Sequence, residues 1–157
     1  MDDLGKVQCI EDYIDQHIQM VLDMPVTQID AIKAAGFKVV VDGVNSTGGI
    51  AIPALCRALG VEVVELYCDP TGHFPHNPEP LKEHLGDLCE AVKEHQADFG
   101  ITVDPDVDRL AFVDETGEMF GEEYTLVACA DYILGHKKGN TVSNLSSSRA
   151  LRDVTEK

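Results

Sequence analysis

Apolar positions recur along the chain with the helical period in some stretches and as short continuous runs in others. Over residues 11–24, "EDYIDQHIQMVLDM", the residues Tyr13, Ile14, Ile18, Val21 and Leu22 share one helical face, and Pro25 ends the helix. "TQIDAIKAAG" (27–36) predicts a short second helix with Thr27 as N-cap and Gly36 as C-cap. "FKVVVD" (37–42) is a run apolar enough for a strand buried on both faces. A glycine-rich turn, "GVNSTGG", leads into a helix over 50–60 and a strand over 61–67. After the polar loop "CDPTGHFPHNPEP" (68–80), the spacing of Leu81, Leu85, Leu88 and Val92 predicts one amphipathic helix over 81–97. A third strand follows over 98–103, and "RLAFVD" (109–114), "ETG" and "EMF" form a short hairpin at the sheet edge. The last third reads as a helix over 122–134, a strand at "TVSNL" and a final helix in "SSRALRDVTEK" opened by a serine cap.

Strand, helix, strand, helix, strand in that order implies right-handed crossovers. The fold class is therefore α/β, a three-layer α/β/α arrangement around a mostly parallel sheet. The character of the chain changes near Gly121. Residues 1–120 are expected to form one domain, with 1–36 as its N-terminal helices, and 121–157 the incomplete start of another. The expectation is a piece of a longer protein.

Composition narrows the possible functions. The 157 residues are 44% hydrophobic, which suits a globular domain. Twelve basic against 28 acidic residues give a formal charge of −16, which argues against nucleic acid and anionic membrane surfaces as partners. The apolar runs are strand-length rather than bilayer-spanning, and no secretory leader pattern opens the chain. Five widely spaced cysteines without C-x-x-C predict buried free thiols in a cytoplasmic protein.

The strongest chemical signal is "DPDVDR", residues 104–109. Asp104, Asp106 and Asp108 alternate in one loop at the carboxyl end of the third strand, where open α/β sheets place their ligands. Carboxylates this close repel one another, and a hard cation removes the repulsion. An EF-hand-like Ca²⁺ loop is one reading, since Glu115 is twelfth from Asp104, but Arg109 stands where that loop needs glycine. An aspartyl-phosphate phosphatase with Asp104 as nucleophile is another. Arg109 has the planar fork that suits phosphate oxygens, or else pairs with a neighbouring aspartate. "GVNSTGG" lacks the P-loop lysine and reads as a tight structural turn. His73 and His76 have metal-pair spacing, but Pro75 and Pro78 exclude a helix there, and a structural loop is favoured. The serines before Ala150 cap the last helix, with Ser146 or Arg149 as candidate substrate or phosphate contacts.

"DPDVDR" followed by "LAFVDETGE" resembles the metal-binding loop of the α-D-phosphohexomutases, written D-G-D-x-D-R, with Pro105 in the glycine position. "VVVDGVNSTGG", "ALGVEVVELYCDPTGHFPHNPEP" and "NLSSSRAL" extend the likeness to nearly the whole chain from Phe37 onward. The resemblance implies the second domain of such an enzyme and the opening of its third. It implies that Asp104, Asp106 and Asp108 ligate Mg²⁺ and that Arg109 bears on phosphate. It also implies that the parent enzyme moves phosphate between O1 and O6 of a hexose phosphate through a phosphoserine and a bisphosphorylated sugar. The family's T-A-S-H-N-P-like serine loop and G-E-x-S-G-like sugar loop do not occur here. The remaining domains of the same chain would be its partners, and the polypeptide alone is expected to be inactive.

Overall fold

The computed structural model describes residues 5–157, so positions 1–4 of the expected first domain lie outside the described residues. Two helices lead the chain, α1 (Tyr13–Leu22) and α2 (Ile29–Ala35). Gly36 closes α2 in the left-handed conformation, as expected for a glycine C-cap. Thr27 does not cap α2. Its hydroxyl instead donates to Val21 O at 2.8 Å, tying the two helices together.

A four-stranded sheet follows, ordered β2 (Glu62–Leu66), β1 (Lys38–Asp42), β3 (Phe99–Val103), β4 (Leu110–Asp114). The first three strands run parallel and β4 runs antiparallel to β3, so the sheet is mostly parallel. Between the parallel strands lie the crossover helices α3 (Gly48–Ala58) and α4 (Gly86–Glu94). Alternation along β1 divides the core. Val39 and Val41 pack with Cys56, Val61 and Ile101 on the α3 side. Val40 packs with Leu85, Leu88, Val92, Ala111 and Val113 on the α4 side. The molecule is thus a three-layer α/β/α assembly.

The predicted helix over 81–97 is divided. Residues Lys82–His84 form a single 3₁₀ turn, and α4 starts only at Gly86. Leu85 and Leu88 are still buried on the sheet side, so the apolar spacing was a true signal of burial but not of an unbroken helix. Beyond β4 come α5 (Glu122–His136) and α6 (Ala150–Thr155). Tyr132 of α5 donates to Val26 O at 2.7 Å, fastening it to the loop before α2. "TVSNL" is not a strand: among the described residues it pairs with no other strand, and Val142 and Leu145 are fully exposed. Among the described residues no helix is long and apolar enough to cross a membrane.

Candidate metal centre

The loop 104–109 turns the chain from β3 into β4 and is closed at its base by the pair Val103–Leu110. Val107 sits at φ 62°, an uncomfortable conformation for a β-branched residue, and its N–H donates to Asp104 O at 3.1 Å. This curl gathers the three aspartates. One carboxylate oxygen from each of Asp104, Asp106 and Asp108 lies within 4.8 Å of the others. Asp104 is buried, with 6% exposure, while Asp106 and Asp108 face outward. The loop is steadied from α3, where Thr47 Oγ1 donates to Pro105 O at 3.3 Å.

The electrostatics suit a cation. Burial works to raise the Asp104 carboxyl, but the Arg109 N–H and hydrogen bonds from Asp108 and Asp106 outweigh it, leaving it below the ordinary 3.8. Asp108 is pushed up, first by the hydrogen bond it gives to Asp104 and then by repulsion from Asp106 and Asp104. A divalent cation bound among the three carboxylates would relieve this crowding. Three carboxylates are a hard, all-oxygen donor set of the kind that Mg²⁺ and Ca²⁺ prefer.

Arg109 edges this cluster. Its Nε lies 3.7 Å from Asp104 Oδ2 and 3.9 Å from Asp108 Oδ1, while Nη1 donates to Glu79 Oε1 at 2.8 Å. A cleft of about 320 Å³, lined by Asn77, Pro78, Glu79, Asp104, Pro105 and Arg109, opens beside it. The EF-hand reading fails on this geometry. The flanks are strands, and Glu115 follows the far end of β4, roughly 20 Å along an extended chain from the loop.

The chain is similar to known proteins in sequence and in fold. A family model described as phosphoglucomutase/phosphomannomutase, alpha/beta/alpha domain II, matches residues 11–117. The chain belongs to the phosphoglucomutase/phosphomannomutase family. It is 37% identical over 149 residues to a phosphoglucomutase/phosphomannomutase of Thermococcus kodakarensis, covering 94% of this chain and 32% of that protein. A phosphomannomutase/phosphoglucomutase of Pseudomonas putida is 34% identical, covering 97% of this chain and 32% of the relative. The crystal structure of a phosphoglucomutase/phosphomannomutase family protein from Burkholderia thailandensis superposes with a TM-score of 0.72 at 30% identity, over 90% of this chain and 31% of that one. The chain therefore spans about a third of the length of these relatives.

Other residues singled out in the sequence fall elsewhere. Ser146 is exposed, and its N–H and hydroxyl both donate to Asn144 Oδ1, so the serines close a turn on Asn144. Ser148 Oγ accepts from Ala150 N at 3.3 Å, but α6 has no side-chain cap on Arg149. Neither Ser146 nor Arg149 lines the cleft beside Arg109. "GVNSTGG" is a packing device: a Cβ on Gly49 would fall 2.6 Å from Cys68 Cα. Cys56 is buried and Cys68 and Cys89 half-buried, and burial pushes the Cys68 thiol up to about 11, whereas Cys9 and Cys129 are exposed, contrary to expectation.

Two residues of the site were missed. Asp42, the acidic end of β1 behind its three buried valines, is 1% exposed and meets His76 Nε2 at 2.8 Å. Glu79, read only as part of a polar loop, is the partner of Arg109. The one available signal was a carboxylate closing a run of buried valines.

Proposed function

We propose that this chain is the metal-bearing portion of a cytoplasmic phosphohexomutase, which moves phosphate reversibly between O1 and O6 of a hexose phosphate through a phosphoserine and a hexose 1,6-bisphosphate. Residues 1–120 form the second domain and 121–157 open the third, with the remaining domains of the same chain as partners. The observation that carries this reading is the convergence of Asp104, Asp106 and Asp108 beside Arg109, in a chain whose family is known.

The three aspartates would hold Mg²⁺ through oxygen. When bound, Mg²⁺ supplies charge neutralisation and Lewis acidity toward phosphoryl oxygens. Asp104, buried and anchored by the Arg109 N–H, fixes the inner edge of the site. Arg109 offers its guanidinium donors to phosphate oxygens. Ser146 and Arg149 are proposed substrate contacts, assembled only when the third domain is complete. The relatives include a phosphoglucosamine mutase of Albidiferax ferrireducens as well as the gluco- and mannomutases, so the sugar is left as glucose, mannose or glucosamine phosphate. An aspartyl-phosphate mechanism is disfavoured, because Asp104 is buried and already occupied by the Arg109 N–H.

The reading is tested by NMR titration of the 157-residue chain with Mg²⁺ and then Ca²⁺. Shifts confined to residues near 104–109, with affinity on the order of millimolar and abolished in Asp106→Asn, are expected. Tight Ca²⁺ binding without a Mg²⁺ response would overturn the reading. The chain by itself should show no turnover of a hexose 1-phosphate, since it holds no serine loop of the family's kind.

A further inference from the structure

The loop 68–80 and the aspartate loop are joined by an ion pair, Arg109 to Glu79, whose two members are about half exposed. Exposed pairs of this sort usually contribute little, because two long side chains must be ordered to make them. Here the Glu79 backbone is already held. His76 reaches back to the buried Asp42 at the end of β1, with Nε2 at 2.8 Å from Oδ2. Its other ring nitrogen lies 2.8 Å from Asn77 O. Both ring nitrogens thus face oxygens, which holds the ring in one orientation. The Tyr67 ring meets the His76 ring edge-on at 5.8 Å, and Tyr67 donates to Asp87 Oδ2 of α4 at 2.7 Å. From this anchored histidine the chain continues through Asn77, whose Oδ1 accepts the Glu79 N–H at 3.1 Å. Pro75, Pro78 and Pro80 fix three backbone angles within the same six residues.

Arg109 has two acidic claimants. With Glu79 in place its guanidinium stays at the rim of the aspartate cluster, beyond hydrogen-bond distance of Asp104 Oδ2 and Asp108 Oδ1. Without Glu79 the nearest acceptors are those two carboxylates, and a forked guanidinium laid across them would occupy the oxygens a cation needs.

We infer that Glu79, held by the Asp42–His76 latch, is a positioning residue that keeps the Arg109 guanidinium off the aspartate triad and turned toward the cleft. The consequence for metal binding rests on the function proposed above; the positioning itself does not.

Two measurements on the 157-residue chain separate the two ideas. The first is the Arg109 Nε–H resonance without metal, which Glu79→Gln and His76→Gln should both shift. If Glu79→Gln leaves it unmoved the inference is overturned, and if only His76→Gln leaves it unmoved the latch is overturned. The second is Mg²⁺ affinity in a cycle of Glu79→Gln with Arg109→Ala. Glu79→Gln should weaken Mg²⁺ about three- to fivefold with Arg109 present and by less than about 1.5-fold in Arg109→Ala, since the effect runs through Arg109. Equal weakening in both backgrounds would show a plain loss of negative charge or of loop structure and would sink the inference, as would no weakening with Arg109 present. If no variant responds to Mg²⁺ while the Arg109 resonance moves as expected, the metal reading falls and the positioning stands.

Discussion

Asp114, at the end of β4, shows how one carboxylate can organise a turn. Its Oδ1 accepts from Thr116 N at 2.9 Å, Thr116 Oγ1 at 2.6 Å and Glu118 N at 3.0 Å, and Gly117 takes the left-handed conformation between them. The Thr116 hydroxyl and these backbone N–H groups stabilise the charged form, so the Asp114 carboxyl is held below its usual 3.8. A depressed folded value means the hydrogen bonds support the hairpin above 3.8, and that support is lost as the pH falls through the folded value. A carboxyl ¹³C titration should therefore place Asp114 below 3.8, and Thr116→Val should move its midpoint up toward the free value. An unchanged midpoint in the variant would mean that the hydroxyl does not hold the charge. Asp42 has the opposite sign. Burial raises it, so its charged form opposes folding as the pH rises through its folded value, with the Val44 N–H and His76 offsetting part of that cost.

At the level of elements, α4 depends on how closely it sits on the sheet. A Cβ on Gly100 of β3 would fall 2.8 Å from Val92 and 2.9 Å from Leu88, so the missing side chain lets the helix approach, and Leu88 is fully buried there. Leu88→Ala should cost about 2–5 kcal/mol in urea unfolding, whereas Met20→Ala on the exposed face of α1 should stay within about 0.5 kcal/mol. Comparable losses from both would mean that the layers do not pack in this way. This dependence on tertiary contact also decides what could be read from the sequence. The valine run of β1 and the FGITV run of β3 were legible because burial on both faces leaves nothing polar to interrupt them. TVSNL had strand-forming residues but no neighbouring strand to complete its hydrogen bonds, and β-propensity mostly reports such packing. The break at Leu85 was invisible to periodicity, since Leu85 and Leu88 keep the same spacing across it. The aspartate triad was legible because its members are local. The latch and the Glu79–Arg109 pair were not, because they join residues 34 and 30 positions apart.

For the molecule as a whole, the formal charge of −16 sets a background against which metal binding must be measured. Self-repulsion among so many carboxylates destabilises the compact state, and any salt relieves part of it by screening. NaCl alone should thus raise the melting temperature without occupying any site. A cation bound specifically by Asp104, Asp106 and Asp108 adds to this through its preference for the folded state, by RT ln(1 + [Mg²⁺]/Kd). With a Kd of about 1 mM, ~10 mM Mg²⁺ gives about 1.4 kcal/mol, or a rise of roughly 3–6 °C for a domain of this size. The comparison must be made at matched ionic strength, so that only the site-specific part remains. Asp106→Asn should then keep the NaCl response and lose the extra Mg²⁺ increment, because it removes one exposed ligand and leaves the buried Asp104 and its Arg109 contact in place. If the mutant retained the full increment, Mg²⁺ would be acting on the diffuse charge of the surface rather than at the loop.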